Sequence, residues 1–340
     1  KEILVKISRE DALKESKRVQ FENSSIYGSI SLKGAAIDDL TFKDYNTTLK
    51  SNEKVTLLGP RNIEDGYLIE SGFVTSDKNI DIPNSDSIWS IIGNDKLTDK
   101  SPIKLSWTNK QGITFEKEIS LDDKYLFTIK QSVINSTNKE YDFYSYGQII
   151  RNKIPEISNF YILHEGLIAT LDDELIEEDY DDIQEKKFTK TALKGWLGIG
   201  DKYWITSLIP PKDNEFKTTF DYKEKFRANF VVTRPLELKG KSKIEEKLQI
   251  IVAAKRVDII DGYAESLKID KFDLAIDWGF LYFITKPLFF GIDFFFNLLG
   301  NYGLAIIAIT VCIRLTFFPL ANFSFRSMAK MKALQPEMVR

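Results

Sequence analysis

The sequence predicts a mainly β protein: one large antiparallel β-sandwich, then an amphipathic helix in a membrane interface, then one transmembrane α-helix. Three observations carry this. Short runs of alternating apolar residues, spaced by turn residues, extend over about 240 positions. Of the 43 aromatic residues, 15 crowd between Phe272 and Phe325. The 20 residues from Phe294 to Ile313 carry no charge, which a soluble segment rarely sustains.

Residues 1–18 are polar and charged without a steady period and read as a linker or a frayed helix. No basic start, apolar stretch and small-residue cleavage site occur there in the order of a signal peptide. The expectation is therefore that the domain reaches its compartment by another route, or that a preceding segment is missing. From residue 19 to 270 the signals are those of strands. Ile26, Gly28, Ile30 and Leu32 alternate with polar neighbours before Gly34 breaks the run. Ile103, Leu105 and Trp107 point one way, and Asn109–Gly112 supplies a turn. Ile113, Phe115, Ile119 and Leu121 follow, then a turn at Asp122–Lys124, then Tyr125, Phe127, Ile129 and Val133. A period of two marks half-buried antiparallel strands. Ala264–Asp270 loses the alternation and reads as a short helix leading out.

Composition removes most enzyme classes. The chain has 340 residues, 43% hydrophobic and 29% charged, enough to bury a core. A net charge of −3 argues against nucleic-acid binding driven by bulk charge. One cysteine, Cys312, excludes an internal disulfide, and one histidine, His164, leaves almost no zinc or His-based triad chemistry. No catalytic group, metal or cofactor is expected. The charge is divided unevenly: residues 271–340 hold 7 basic and 4 acidic residues, formally +3, against −6 for the rest. An acidic body followed by an apolar segment and a basic tail is the layout of a membrane-attached protein.

Four features of the body invite functional readings. Asp172–Asp182 has 8 acidic residues in 11 positions, but its spacing does not fit an EF-hand, and a solvated loop is the better reading. His164 reads as structural. Gly195, Gly198 and Gly200, around Trp196, lack the βαβ context of a dinucleotide fingerprint and read as turns between strands. Trp196, Tyr203 and Trp204 suit stacking on a sugar, although core aromatics are commoner.

The apolar segment has two parts. Residues 273–300 are interrupted by Pro287 and Gly291 and keep a polar stripe: Lys286, Asp293 and Asn297 fall within about 40° on a helical wheel. An aromatic helix with a thin polar stripe fits the membrane interface. Residues 302–320 form a span of 19 residues, long enough to cross about 30 Å of hydrocarbon. Only Arg314 interrupts it, and a mid-span arginine costs about 2.5–3.5 kcal/mol in lipid, so it is expected to face a hydrated cavity. Arg326, Lys330, Lys332 and Arg340 follow, against Glu337 alone. The positive-inside rule makes this tail cytoplasmic and puts the β domain outside. Residues 324–340 read as a helix continuing the span.

Motifs here strongly resemble the YidC/Oxa/Alb family of membrane protein insertases of Gram-negative bacteria. They are Pro287-Leu288-Phe289, Gly300-Asn301-Tyr302-Gly303, Ile313-Arg314, Phe318-Pro319-Leu320, Ser327-Met328-Ala329-Lys330-Met331 and Leu334-Gln335-Pro336. Looser matches in the body are Gly28-Ser29-Ile30, Leu32-Lys33-Gly34-Ala35, Ile37-Asp38-Asp39-Leu40 and Gly195-Trp196-Leu197. The resemblance covers nearly the whole chain. It implies a periplasmic β-supersandwich similar to sugar-mutarotase folds, then an interfacial helix. It also implies that Arg314, together with Thr310, belongs to a hydrophilic groove that receives polar parts of an inserting chain. The tail from Ser324 matches the first arm of a cytoplasmic helical hairpin. The implied location is the bacterial inner membrane. The implied partners are nascent membrane proteins and the lipid bilayer, with the Sec translocon and the ribosome or targeting factors; no nucleic-acid specificity is implied. Relative to the family, a first transmembrane helix before Lys1 and the helices after Arg340 are missing. The rival expectation is a membrane-anchored carbohydrate-binding or carbohydrate-active sandwich, which needs a carboxylate pair across a cleft.

Overall fold

Strands that bury one face each must pair with one another and then close on a second sheet. The computed structural model describes residues 7–155, 164–212, 214–279 and 281–338, with side chains omitted at Lys330 and 332–338. Its chain divides into two units, Lys1–Ile276 and Asp277–Arg340. The first unit is a sandwich of two sheets.

The 11-stranded sheet runs in spatial order Phe188–Ala192, Phe216–Tyr222, Phe226–Val232, Tyr141–Arg151, Tyr67–Val74, Ile37–Asn46, Ile26–Ser31, Arg18–Glu22, Lys96–Leu97. Leu236–Leu238 joins beside Tyr141–Arg151, and Lys54–Leu58 beside Ile37–Asn46. The 9-stranded sheet runs Glu174–Asp179, Gly166–Leu171, Gly195–Gly200, Trp204–Ile209, Lys243–Ala254, Leu126–Asn135, Ile113–Leu121, Ile103–Thr108, Ser90–Ile92. The pairings are antiparallel except Arg18–Glu22 with Lys96–Leu97. The register sets Ile129 opposite Ile119 and Val133 opposite Phe115, so the alternating apolar residues share one core.

Aromatic rings close the space between the sheets. Phe21 meets Phe127 edge-on at 5.2 Å, Phe115 meets Phe143 at 5.7 Å, and Trp204 stacks on Phe42 at 4.6 Å. Polar ties cross the same space. Lys117 Nζ donates to Ser71 O at 2.7 Å, and its cross-strand neighbour Gln131 donates through Nε2 to Gly72 O and Ser145 Oγ. Arg151 Nη1 reaches both oxygens of Asp201 at 2.7 Å and lies over the Tyr67 ring. Burial lowers the Lys117 ammonium to about 8, against a weaker opposing pull from Glu70.

Several elements differ from expectation. Of the two readings for residues 1–18, a linker or a frayed helix, the described part takes the helical one over Arg9–Lys14, helix α1, whose N-cap Ser8 accepts from Asp11 N. Arg9 pairs with Asp39 and Arg18 with Asp38, which fastens this segment to the sheet; residues 1–6 lie outside the described residues. The glycine-rich segment is not a set of turns but a buried strand. A Cβ at Gly195 would lie 1.9 Å from Thr170 O, and one at Gly198 2.2 Å from Thr206 O. Glycine is needed there because neighbouring backbones approach too closely for any side chain. The acidic run is not a loop either. Asp172 and Asp173 both have positive φ and connect Leu171 to its partner Glu174, a two-residue type I′ hairpin. The run continues through strand Glu174–Asp179 into α2, Tyr180–Glu185.

The exit from the sandwich also begins earlier. Helix α3, Val257–Leu267, buries Ile259, Ile260 and Tyr263, and Tyr263 Oη donates to Asp122 at 2.7 Å. The expected single element at residues 273–300 splits. Phe272–Ala275 is a 3-10 turn, with Phe272 and Ala275 buried in the first unit and Phe272 edge-on to Trp196. Phe272 starts the aromatic-rich stretch, yet its ring completes the sandwich core.

Gly198→Ala is expected to destabilise the chain by about 1–3 kcal/mol, since the added methyl must push a strand backbone; a denaturant titration checks this. A second outcome concerns pH. Unfolded, Lys117 holds its proton to about pH 10.4, but folded only to about 8. Between those values the unfolded state binds more protons, so stability rises with pH. Wild type should therefore gain on Lys117→Met by up to about 3 kcal/mol between pH 7.5 and 10. A constant gap across that window in thermal melts would contradict it.

Candidate functional site

The second unit is a helical hairpin. Helix α4, Tyr282–Leu299, ends at Gly300, whose left-handed backbone (φ 66°) lets its N–H reach Phe296 O. Asn301 then caps α5, Tyr302–Met338, by accepting from Leu304 N at 3.2 Å. Phe296 stacks on Tyr302 at 4.1 Å across the turn. The span and the following tail are one continuous helix. Both helices are long and apolar enough to cross a membrane: α4 has 18 residues of mean hydropathy 1.2, and the 28 residues Tyr302–Ala329 include an 18-residue window of mean hydropathy 2.2.

The helices meet where α4 is smallest. A Cβ at Gly291 would lie 2.8 Å from Ile309 Cδ1, and Ala305, one turn before Ile309, is fully buried. This contact fixes where the polar residues point. Around α4, Asp293, Lys286 and Asn297 lie about 200°, 220° and 240° from Gly291, on the side away from α5. Around α5, Thr310 and Arg314 lie about 100° and 140° from Ile309, and both are exposed. The hairpin therefore does not bring Arg314 together with the α4 stripe. It turns both polar faces outward.

Asn297, Asp293, Lys286 and the helix hydroxyls find local partners. Asn297 Nδ2 donates to Asp293 at 3.1 Å, and Lys286 Nζ sits 5.7 Å from the Trp278 ring centre. Thr310 Oγ1 donates to Ile306 O at 2.7 Å and Thr316 Oγ1 to Cys312 O at 2.9 Å, which satisfies hydroxyls where water is scarce. Arg326 is exposed on α5. Lys330 and Lys332 have helical backbones, but their side chains, like Arg340, lie outside the described residues.

In the β unit, the three aromatics suggested for sugar stacking do not share a face. Trp196 is sealed in the core, Trp204 spends one face on Phe42, and Tyr203 alone is well exposed. A cleft of about 430 Å³ is lined by Tyr203, Trp204, Tyr67, Arg151, Glu165 and Asp201. Its Asp201 carboxylate is held by Arg151, and Tyr180 Oη also donates to it. Burial lowers the Arg151 guanidinium, but Asp201, Tyr180 and Tyr67 outweigh that and its affinity for the proton rises; this group is structural. His164 Nδ1 lies 3.1 Å from Asp179. Among the described residues no group of three or more His, Cys, Asp or Glu is placed to hold a metal ion. The Gly291–Ile309 contact and the buried Lys117 were both missed by sequence reading. Lys117 had a signal, because it falls in register with Ile113, Phe115, Ile119 and Leu121.

Two family models divide the chain between them, with the break inside α4 rather than between the two units. The family model for the YidC periplasmic domain matches residues 18–290, and that of the 60Kd inner membrane protein matches 294–340. A protein named Membrane protein insertase YidC in Pelagibacter ubique (strain HTCC1062) is 71% identical over 98% of this chain. One of the same name in Rickettsia prowazekii (strain Madrid E) is 42% identical over 95%. The chain spans 60% and 59% of the length of these relatives. A galactose mutarotase related enzyme from Lactobacillus acidophilus shares the sandwich fold: TM-score 0.50 and 11% identity, covering 70% of this chain and 97% of that one. With one family model matching most of the chain and another its helical remainder, the chain belongs to the YidC family.

Proposed function

We propose that the protein to which this chain belongs inserts nascent membrane proteins into the bacterial inner membrane. The observation that carries this is the placement of Arg314 and Thr310. They share a face of α5 turned away from α4, within a helix of otherwise apolar residues. An arginine facing lipid there would cost about 2.5–3.5 kcal/mol. Facing a hydrated groove, it lowers the cost of bringing an acidic segment into the membrane. The segment keeps its water and gains a counter-charge. Its apolar part then passes sideways into lipid. No covalent step is involved.

The rest of the chain supports that scheme. The basic residues Arg326, Lys330, Lys332 and Arg340 favour a cytoplasmic location for this end and, with it, a periplasmic β unit. The stripe of Lys286, Asp293 and Asn297 favours α4 lying along the outer interface rather than crossing, although its length allows either. The partners are nascent chains delivered by the ribosome or targeting factors, alone or with the Sec translocon. The carbohydrate reading has less support, since the cleft commits Asp201 to Arg151.

In the full-length protein, Arg314→Lys should retain much of the insertion activity, while Arg314→Ala and Arg314→Glu should lose about tenfold or more. The loss should be largest for substrates with Asp or Glu in the translocated segment. Insertion assays at matched protein levels read this out, and equal activity of every variant on every substrate would remove the groove role. For α4, depth-dependent quenching of a label at Asp293 should report the headgroup region; a label at the bilayer centre would show that α4 crosses.

A further inference from the structure

One small cavity in the β unit is lined by residues that carry buried polar atoms without protein partners. It holds about 20 Å³ between Ser71, Trp89, Lys117, Gln131 and the segment around Ser85. The strand Tyr67–Val74 meets Ile37–Asn46 at a single residue pair, Ile37 with Ile69. Beyond Ile69 that edge of the 11-stranded sheet has no ladder on this side, and the cavity lies in the gap. Trp89, Ser71 and Gln131 are each more than nine-tenths buried, yet Trp89 Nε1, Ser71 Oγ and Gln131 Oε1 have no protein partner. Lys117 Nζ uses one hydrogen on Ser71 O and has two more to give. The nearby Glu70 carboxylate accepts from Arg61 and Gln148 instead.

We propose that this cavity is a binding site for one water molecule, which accepts from Lys117 and Trp89 and donates to Gln131 Oε1 and Ser71 Oγ. The volume suits a single water, which needs at least about 10–15 Å³. The donors alone would also suit a small anion. Gln131 Oε1 decides between the two, because a halide has no proton to give it. The amide orientation is set independently, since Nε2 donates to Gly72 O and Ser145 Oγ. Water satisfies donors and acceptor together, and every one of these groups otherwise carries the penalty of burial without a hydrogen bond. The bound water continues the polar contact between the sheets where strand pairing stops, and it hydrates the buried ammonium.

A crystal structure of this chain, at a resolution that shows single waters and with a parallel bromide soak, tests the site. One density peak is expected about 2.6–3.2 Å from Lys117 Nζ, Trp89 Nε1 and Gln131 Oε1, without anomalous signal after the soak. An anomalous peak would make the ligand an anion, and no peak would leave the site dry; either overturns the proposal. A double-mutant cycle of Trp89→Phe and Gln131→Met gives an independent reading. Trp89 and Gln131 make no hydrogen bond to each other but both adjoin Lys117, so the cycle is run in the Lys117→Met background, where a shared water should still make their losses in thermal stability non-additive, the double variant losing less than the sum. Strict additivity would count against the water.

Discussion

The strand Lys243–Ala254, last in the chain, occupies the middle of the 9-stranded sheet, and the β unit is organised around it. It pairs with Leu126–Asn135 on one side and Trp204–Ile209 on the other. The seven residues Leu248–Ala254 are all buried. A strand hydrogen-bonded along both edges and covered on both faces has no solvent-facing position to fill, so it runs almost continuously apolar. The antiparallel ladders spread from it in both directions. Chain topology therefore makes the two halves of the sheet depend on the last of the described strands to be made.

The two units handle polar groups in opposite ways. In the sandwich, charged side chains are drawn inward and given partners: Arg151 with Asp201, Arg18 with Asp38, Lys117 with Ser71 O. Such ties add little net stability, but breaking one leaves a buried charge alone, so they select a single register between the sheets. In the helical hairpin the contact is made by Gly291, Ile309 and Ala305, and the polar residues are sent outward. Small residues let the two backbones approach. What remains outside is a surface whose chemistry only a further partner can use.

The strands with one wet face were legible from alternation alone, as at Ile113–Leu121, because each polar position reports solvent. That signal fails where both faces are dry. Gly195–Gly200 carries no alternation to read, and its glycines answer to Thr170 O and Thr206 O, atoms brought near only by the tertiary fold. The acidic run misled for another reason, since charge describes solvation, whereas the I′ turn at Asp172-Asp173 is set by backbone twist. Of the helical site, the stripe on α4 and the isolation of Arg314 were visible as periodicity. The direction in which they face was not, because that depends on which side of each helix the other occupies.

The central place of Lys243–Ala254 has a consequence for the order of events during synthesis. Tyr282, where the apolar helical hairpin begins, follows Ala254 by 28 positions. At about 5–20 residues per second this is roughly 1–6 s of elongation, comparable with the time large β topologies take to form. Until Ala254 is available, Trp204–Ile209 and Leu126–Asn135 stand as two unpaired edges with a slot between them, a state open to intermolecular pairing. Closing that slot and the emergence of the apolar helices α4 and α5 thus run on one clock. A pause in translation just after residue 254 would favour the sandwich, and one just before it would leave the edges open while the chain waits.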